Sequence, residues 1–299
     1  MFKKVVIAGV GLMGGSLGMA MVKGNMATEV VGVDPDRENL KQAVRMGAVH
    51  RAADLAEALP GTDLLILATP IGVTLGVLEM AIPYLTPGTI ITDIGSVKGR
   101  LVERAEAMLP SNVHFVGGHP MAGLELTGVV GAREDLFEGA AYIITPTPLT
   151  NPTALERIKG LIEKLGAKPI ELGYLEHDGV VAFISHLPHL LAATLVNTIA
   201  NEPEKELLLN MAAGGFRDTT RIAASNSLMW RDILLTNREM VLQAITRFRS
   251  QLEEMEKFIK DFNAVELVKI LNHAKGLRES LPENRVYMNK CQEKNQRGK

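Results

Sequence analysis

The stretch Gly9-Val10-Gly11-Leu12-Met13-Gly14 decides the fold of this 299-residue chain. It grows out of Val5 to Val10, a short apolar, β-branched run with the pattern of a strand buried on both faces. An Ala-, Met- and Leu-rich helix follows to about Lys23, then a second strand, Val30 to Val33, that ends in Asp34. A lone GxGxxG is weak evidence. Here it follows a strand, opens a helix and meets an acid at the roughly 20-residue spacing of a dinucleotide-binding fingerprint. Each glycine then has its own task. Gly9 permits the tight turn, Gly11 lets the backbone approach a pyrophosphate, and Gly14 allows close helix–strand packing. The free amides of Leu12 and Met13 at the helix start face the phosphates.

Asp34 can accept hydrogen bonds from both ribose hydroxyls and repels a 2′-phosphate, which favours NAD over NADP. Arg37 either softens that preference or lies flat on the adenine. Working outward, Leu64 to Ala68 is a strand ending in Thr69-Pro70, and Thr89 to Thr92 is another, ending in Asp93-Ile94-Gly95-Ser96-Val97-Lys98-Gly99. Val113 to Gly117 leads to His119, while Ala141 to Thr145 and Pro169 to Glu171 flank a helix over Pro152 to Leu165. Such alternation implies a mainly parallel sheet whose ligands gather at the strands' carboxyl ends. Residues 1–172 are therefore expected to form an α/β, Rossmann-type nucleotide domain. Thr69, Pro70, Ser96 and His119 follow strand ends and should converge on one crevice, the first three beside the cofactor.

His119 lies in Gly117-Gly118-His119-Pro120-Met121-Ala122-Gly123, where the backbone is expected to turn sharply and leave the ring uncovered. Imidazole titrates nearest neutrality, so a rigidly held, neutral ring can take a proton. Read alone, the segment suits a solvated turn histidine better; the residues around it in the chain reverse that. Ser96, before Val97, is also a natural helix N-cap, a role compatible with chemistry. His114 is read as structural.

After about Gly173 strand-like runs stop, and residues 173–299 read as an all-α helical domain. Phe183, Leu187, Leu190, Leu191 and Val196 fall at helical intervals, with Pro188 as a kink. Val241, Ile245, Phe248, Leu252, Met255 and Ile259 form a seam, which an internal bundle or a second subunit would cover equally well. Between them lies Gly214-Gly215-Phe216-Arg217-Asp218-Thr219-Thr220-Arg221-Ile222-Ala223, followed by Met229-Trp230-Arg231-Asp232. Arg221 either pairs with Asp218 on the surface or uses its guanidinium fork to grip a substrate carboxylate. His186 and His189 share a helical face, but without HExxH or a nearby acid they predict no metal site. Glu283 to Lys299 reads as a polar, loosely held end.

Composition narrows the partners. A net charge of -2 offers no basic field for nucleic acid. One cysteine, Cys291, rules out an internal disulfide framework and suits a reducing cytoplasm. Lys3-Lys4 and the apolar run to Val22 mimic a signal peptide, but the glycines make a poor hydrophobic helix. Val180 to Ala200 is long enough to span a membrane, yet His186, Pro188, His189 and Asn197 would be costly in hydrocarbon, so it is expected to be a buried helix.

With these pieces assembled, the chain resembles the prephenate and arogenate dehydrogenase family, which carries out the hydride-transfer step of tyrosine biosynthesis. The resemblance runs from Val5 to about Ile259 and rests on Gly-Val-Gly-Leu-Met-Gly-Gly-Ser, Thr-Asp-Ile-Gly-Ser-Val-Lys, Gly-His-Pro-Met-Ala-Gly, Phe-Arg-Asp-Thr-Thr-Arg-Ile-Ala and Met-Trp-Arg-Asp. It implies NAD-dependent oxidative decarboxylation, with His119 accepting the ring hydroxyl proton and Ser96 touching that hydroxyl, the histidine and the nicotinamide. It further implies Arg221 on a substrate carboxylate, His186 at the substrate's side-chain end, Glu125 and Asp218 as acids around the pocket, and Trp230 shaping or gating it. A homodimer through the C-terminal helices and competitive inhibition by tyrosine are implied too; a fused mutase or regulatory domain is not expected. Two rivals are an imine or β-hydroxy-acid reductase, for which Lys98 is the only comparable catalytic group, and an NAD-binding redox sensor without turnover. Neither uses His119 and Arg221 together.

Overall fold

Alternation along short strands builds the sheet. The computed structural model describes residues 1–124 and 126–281, so the polar end from Glu283, with Cys291, and Glu125, expected as an acid near the pocket, lie outside the described residues. The first half runs β1 (Phe2–Ala8), α1 (Leu12–Lys23), β2 (Ala27–Val33), α2 (Arg37–Arg45), β3 (Arg51–Ala52), α3 (Leu55–Ala58), β4 (Leu64–Leu67) and α4 (Ile71–Ala81). It continues with β5 (Ile90–Asp93), α5 (Gly99–Met108), β6 (His114–Pro120), β7 (Ala141–Thr145), α6 (Pro152–Lys164) and β8 (Lys168–Glu171). In β1, Val5 and Ile7 enter one apolar cluster while Val6 and Ala8 enter the other, and β4 divides Leu64 and Ile66 from Leu65 and Leu67 in the same way. Both faces of the central strands are thus covered, each buried aliphatic side chain contributing about 1.5–3 kcal/mol.

The sheet has the order β3-β2-β1-β4-β5-β6-β7-β8. Its pairs are parallel except β6 with β7. The exception matters for the site. β6 pairs parallel with β5 as far as Thr92↔Val116 and antiparallel with β7 from Gly117↔Thr145 to Pro120↔Tyr142. His119 therefore lies inside a strand, opposite Ile143, and not in the sharp turn expected from its glycines and proline. The glycines serve close approach instead: a Cβ on Gly117 would meet Thr145 Oγ1 at 2.3 Å, and one on Gly118 would meet the Asp93 carbonyl at 2.8 Å.

Every described element after β8 is helical: α7 (Tyr174–Val181), a π turn over Ala182–His186, α8 (Leu187–Ala200), α9 (Lys205–Asn210), α10 (Gly214–Thr220), a 3₁₀ turn over Arg221–Ala224, α11 (Ser227–Thr236), α12 (Arg238–Lys260) and α13 (Ala264–Ser280). The π turn precedes Pro188, whose ring nitrogen can donate no bond to the preceding turn. By length and composition Tyr174–Ala200 is long and apolar enough to cross a membrane. Its stripe of Val181, Ala182, His186, His189 and Ala192 is buried, whereas Ile184 and Leu195 are exposed, so the expectation of a buried helix holds for one face only.

The chain divides into two compact units, Met1–Val241 and Leu242–Lys299. Within the second, α12 and α13 are joined through Phe262, whose φ of 49° is left-handed, and Asn263 caps α13 by accepting from the Glu266 amide. Leu252 is 54%, Ile259 61% and Phe262 92% exposed. The apolar seam is thus open at Leu252 and Ile259 within a single chain.

The sharpest steric constraint is Gly14, where a Cβ would stand 1.9 Å from the Gly9 carbonyl oxygen. Gly14→Ala is expected to destabilise the protein by about 1–3 kcal/mol, read as a lower denaturant midpoint at unchanged slope.

Candidate active site

The nucleotide end is shaped by backbone. Gly9 has φ +94°, and a Cβ there would meet the Ala68 carbonyl oxygen at 2.5 Å. Gly11, the N-cap of α1, has nothing within 4 Å of its would-be Cβ, so the helix start opens into space on the side where a pyrophosphate would approach. Leu12 is buried and Met13 half-buried at that start. Asp34 Oδ2 accepts from the Val10 amide and Oδ1 from the Asp36 amide, both at 2.9 Å. This fixes the carboxylate at the end of β2 with acceptor capacity left for ribose hydroxyls. The residues present fit a dinucleotide. Arg37 pairs with Asp54 at 2.7 Å on the exposed side of α2. Thr69 and Pro70 follow β4; the Thr69 hydroxyl hydrogen-bonds Thr74 Oγ1 at 3.0 Å, steadying the entry to α4.

At the next two strand ends the buried Asp93 organises the backbone. Its Oδ1 accepts from the Gly118 amide at 3.1 Å, Oδ2 accepts from the Gly95 amide at 2.8 Å, and Oδ2 also pairs with Lys98 Nζ. Both side chains of that ion pair are fully buried. Burial pushes the Lys98 ammonium below its ordinary value, and Asp93 opposes the shift. Ser96 is half-buried in the loop between. It is not the N-cap of α5. The helix starts at Gly99, and its first amides are satisfied from another element: Asp178 Oδ1 accepts from the Lys98 amide and Oδ2 from the Gly99 amide, both at 2.8 Å.

Asp178 leads to the partner of His119. His177 Nδ1 lies 2.8 Å from Asp178 Oδ1, and His177 Nε2 lies 2.8 Å from His119 Nδ1. The two rings meet edge to face, with centroids 5.0 Å apart. Burial pushes the His119 imidazole well below its ordinary value, reinforced by His177, Lys98 and His186. His119 is only partly buried as a residue, whereas His177 is 1% exposed. Sequence reasoning missed His177 and Asp178 altogether.

A second group forms around Trp230. His189 stacks on the indole with centroids 3.6 Å apart, and His186 meets it edge-on at 6.0 Å. No motif in the sequence gives His189 a role in a site; its place is against the tryptophan. Asn237 Nδ2 donates to the Asp178 carbonyl at 2.8 Å and reaches His186 Nδ1 at 3.1 Å. The amide is thereby oriented, His186 Nδ1 accepts, and the neutral ring carries its proton on Nε2. Burial pushes His186 down to about 4. His186 Nε2, His189 Nε2 and Trp230 Nε1 are buried without a hydrogen-bond partner among the described residues. Buried polar atoms are rarely left so, and three together mark a place for polar ligand groups. Arg221 opens the 3₁₀ turn that packs against α8, and Asp218 is exposed on α10.

Gly11→Ala should keep stability within about 1 kcal/mol of the parent, because the methyl enters open space. It should weaken NAD binding about tenfold or more, measured by calorimetric titration, if that space is where the pyrophosphate would approach.

Comparison with known proteins agrees with this geometry. Residues 17–171 match the family model described as prephenate dehydrogenase, nucleotide-binding domain, and residues 175–273 match prephenate dehydrogenase, dimerization domain. The chain is 39% identical to prephenate dehydrogenase of Bacillus subtilis over 281 residues, covering 93% of this chain and 76% of that protein. The crystal structure of prephenate dehydrogenase from A. aeolicus, in complex with hydroxyphenyl propionate and NAD+, superposes with a TM-score of 0.89 at 34% identity, covering 94% of this chain and 99% of that one. Synechocystis arogenate dehydrogenase gives a TM-score of 0.80 at 33% identity, covering 92% and 99%. An NAD fingerprint, a neutral histidine at an adjacent strand end and a family match along both halves lead to one conclusion: the chain belongs to the prephenate dehydrogenase family of NAD-dependent oxidoreductases.

Proposed function

We propose that this chain oxidatively decarboxylates prephenate to 4-hydroxyphenylpyruvate, with His119 as the general base. The observation that carries the reading is the His119 ring: it is held neutral at the carboxyl end of β6 with Nδ1 already engaged, which leaves Nε2 to take a proton. When bound, the nicotinamide supplies the hydride acceptor. His119 takes the ring 4-hydroxyl proton, and loss of the ring carboxylate as carbon dioxide drives the ring to the aromatic phenol. Ser96, in the loop between Asp93 and Lys98, contacts the same hydroxyl. Arg221 holds a substrate carboxylate, and Asp218 and Glu125 belong to the acidic surroundings of the pocket.

The side-chain end of the substrate lies at His186 and Trp230. Trp230 Nε1 and His186 Nε2 are both donors without partners, suited to the keto oxygen and carboxylate of a pyruvyl group. The ammonium of arogenate would bring a third donor to the same place. This supports prephenate over arogenate as the better substrate. The exposed apolar positions of α12 and α13 support a homodimer through the C-terminal helices, the enzyme works in the cytoplasm, and tyrosine competes for the substrate cavity.

Purified protein assayed with both substrates and both cofactors should show kcat/KM at least about tenfold higher for prephenate with NAD, a preference of about 1.4 kcal/mol; the reverse order of substrates would overturn the choice. Activity needs neutral His119, whose value is depressed, so kcat/KM should persist below pH 6.5 and fall only as pH drops through the lower value. His119→Asn should remove that acid limb and lower kcat about 100-fold or more. Arg221→Ala should raise KM for the substrate more than about tenfold and leave NAD affinity within about twofold; equal weakening of both would argue against a substrate contact.

A further inference from the structure

We propose that His177, anchored by Asp178, is a positioning residue that commits His119 to one tautomer, with the proton on Nδ1 and the lone pair on Nε2 open to the substrate hydroxyl. The inference rests on the reading of His119 as the base and names what keeps that base in its working form.

The argument follows the hydrogens from the backbone outward. The amides of Lys98 and Gly99 can only donate, so both oxygens of Asp178 act as acceptors. The contact of Oδ1 with His177 Nδ1 at 2.8 Å then requires the hydrogen to sit on that nitrogen. Neutral His177 has its lone pair on Nε2. The 2.8 Å contact between His177 Nε2 and His119 Nδ1 needs one proton, and His119 must supply it. A neutral His119 that carries its hydrogen on Nδ1 has a bare Nε2. With His177 neutral, each step follows from the one before, back to two backbone amides at the start of α5.

The opposite tautomer, with the hydrogen on His119 Nε2, would set two lone pairs against each other across 2.8 Å. It would also present a donor to a hydroxyl that must lose its proton. In the proton-transfer step the substrate O–H bond breaks and an Nε2–H bond forms. His119 becomes an imidazolium whose Nδ1–H still donates to His177, and the Asp178 carboxylate lies at the far end of the chain. Burial of His177 and Asp178 keeps water from competing for these bonds. The titratable groups acting on His119 from the surrounding elements are His177 on α7, His186 on the π turn and Lys98 before α5, with Asp178 and Asp93 behind them as the partners of His177 and Lys98.

The test compares His177→Phe with His177→Gln in the full chain. Phenylalanine fills the space without an acceptor, whereas the glutamine carbonyl can reach the position of Nε2 and accept from His119 Nδ1. His177→Phe is expected to lower kcat about 10–100-fold with KM and NAD affinity within about twofold, and His177→Gln to recover most of that loss. A merely structural role would make both variants fail together, in stability as in rate. Nitrogen-15 NMR of histidine-labelled wild type, with His119 assigned by its loss in His119→Asn, should show Nδ1 protonated and Nε2 bare; in His177→Phe the tautomers should mix. Wild-type His119 protonated on Nε2, or full kcat in His177→Phe, would overturn the proposal. If His177→Phe does not fold, His177→Gln and the wild-type tautomer decide it. High activity in His119→Asn would instead remove the base reading itself, while the tautomer measurement still reports on the hydrogen-bond chain.

Discussion

The active end of the molecule hangs on the carboxylate of Asp178. A buried carboxylate is costly unless well supplied with donors, and here it receives the amides of Lys98 and Gly99 and the Nδ1–H of His177. Those two amides are among the orphan donors of a helix N-terminus, where negative charge is also favoured by the helix dipole. One side chain thereby ties α5 to α7 and fixes a histidine. Asp93 does the matching task on the strand side, holding Gly95, Gly118 and Lys98. The loop that carries Ser96 is thus strapped between two carboxylates, and this holds it in place without any cap from the serine itself.

The histidines of the site share one electrostatic condition. His119, His186 and His189 are all pushed down by burial, and at His119 every neighbouring group acts in the same direction. At His186 the Asp178 carboxylate partly opposes the shift. A cluster of neutral imidazoles offers acceptors and donors without bringing fixed charge to a crevice intended for an anionic substrate and a charged cofactor. The fully buried Lys98–Asp93 pair adds to this condition on one side, since the Lys98 charge also disfavours a charged His119.

The nucleotide half was legible because its constraints are local: a glycine whose Cβ would overlap a carbonyl, an acid at a fixed spacing, and strands with period two. Thr69, Ser96 and His119 follow from the parallel order, since β4, β5 and β6 are neighbours in the sheet. What escaped was non-local. His177 lies 58 residues from His119, in a segment whose apolar neighbours read simply as helix, and no spacing announces it. Ser96 looked like a cap because sequence shows only the residues next to a helix, while the true cap arrives from α7. The pairing of β6 with β7 was hidden by glycines and a proline, which usually mark turns and here permit close strands. The Trp230 group fell between these cases: His186 and Trp230 were singled out from sequence, but the stacking partner His189 was not.

The change of partner along β6 has a consequence for how this site can vary. Beyond Val116 the strand no longer follows β5, and the height of His119 above the sheet is set by its ladder with β7. A strand advances about 3.3 Å per residue and turns successive side chains to opposite faces. Inserting or deleting one residue before His119 would therefore do more than move the ring by that step; it would send it to the other side of the sheet. Only a two-residue change restores the face, and it displaces the ring by about 7 Å. The imidazole can thus occupy discrete positions only, and a lineage of such enzymes can refine its surroundings far more readily than its location.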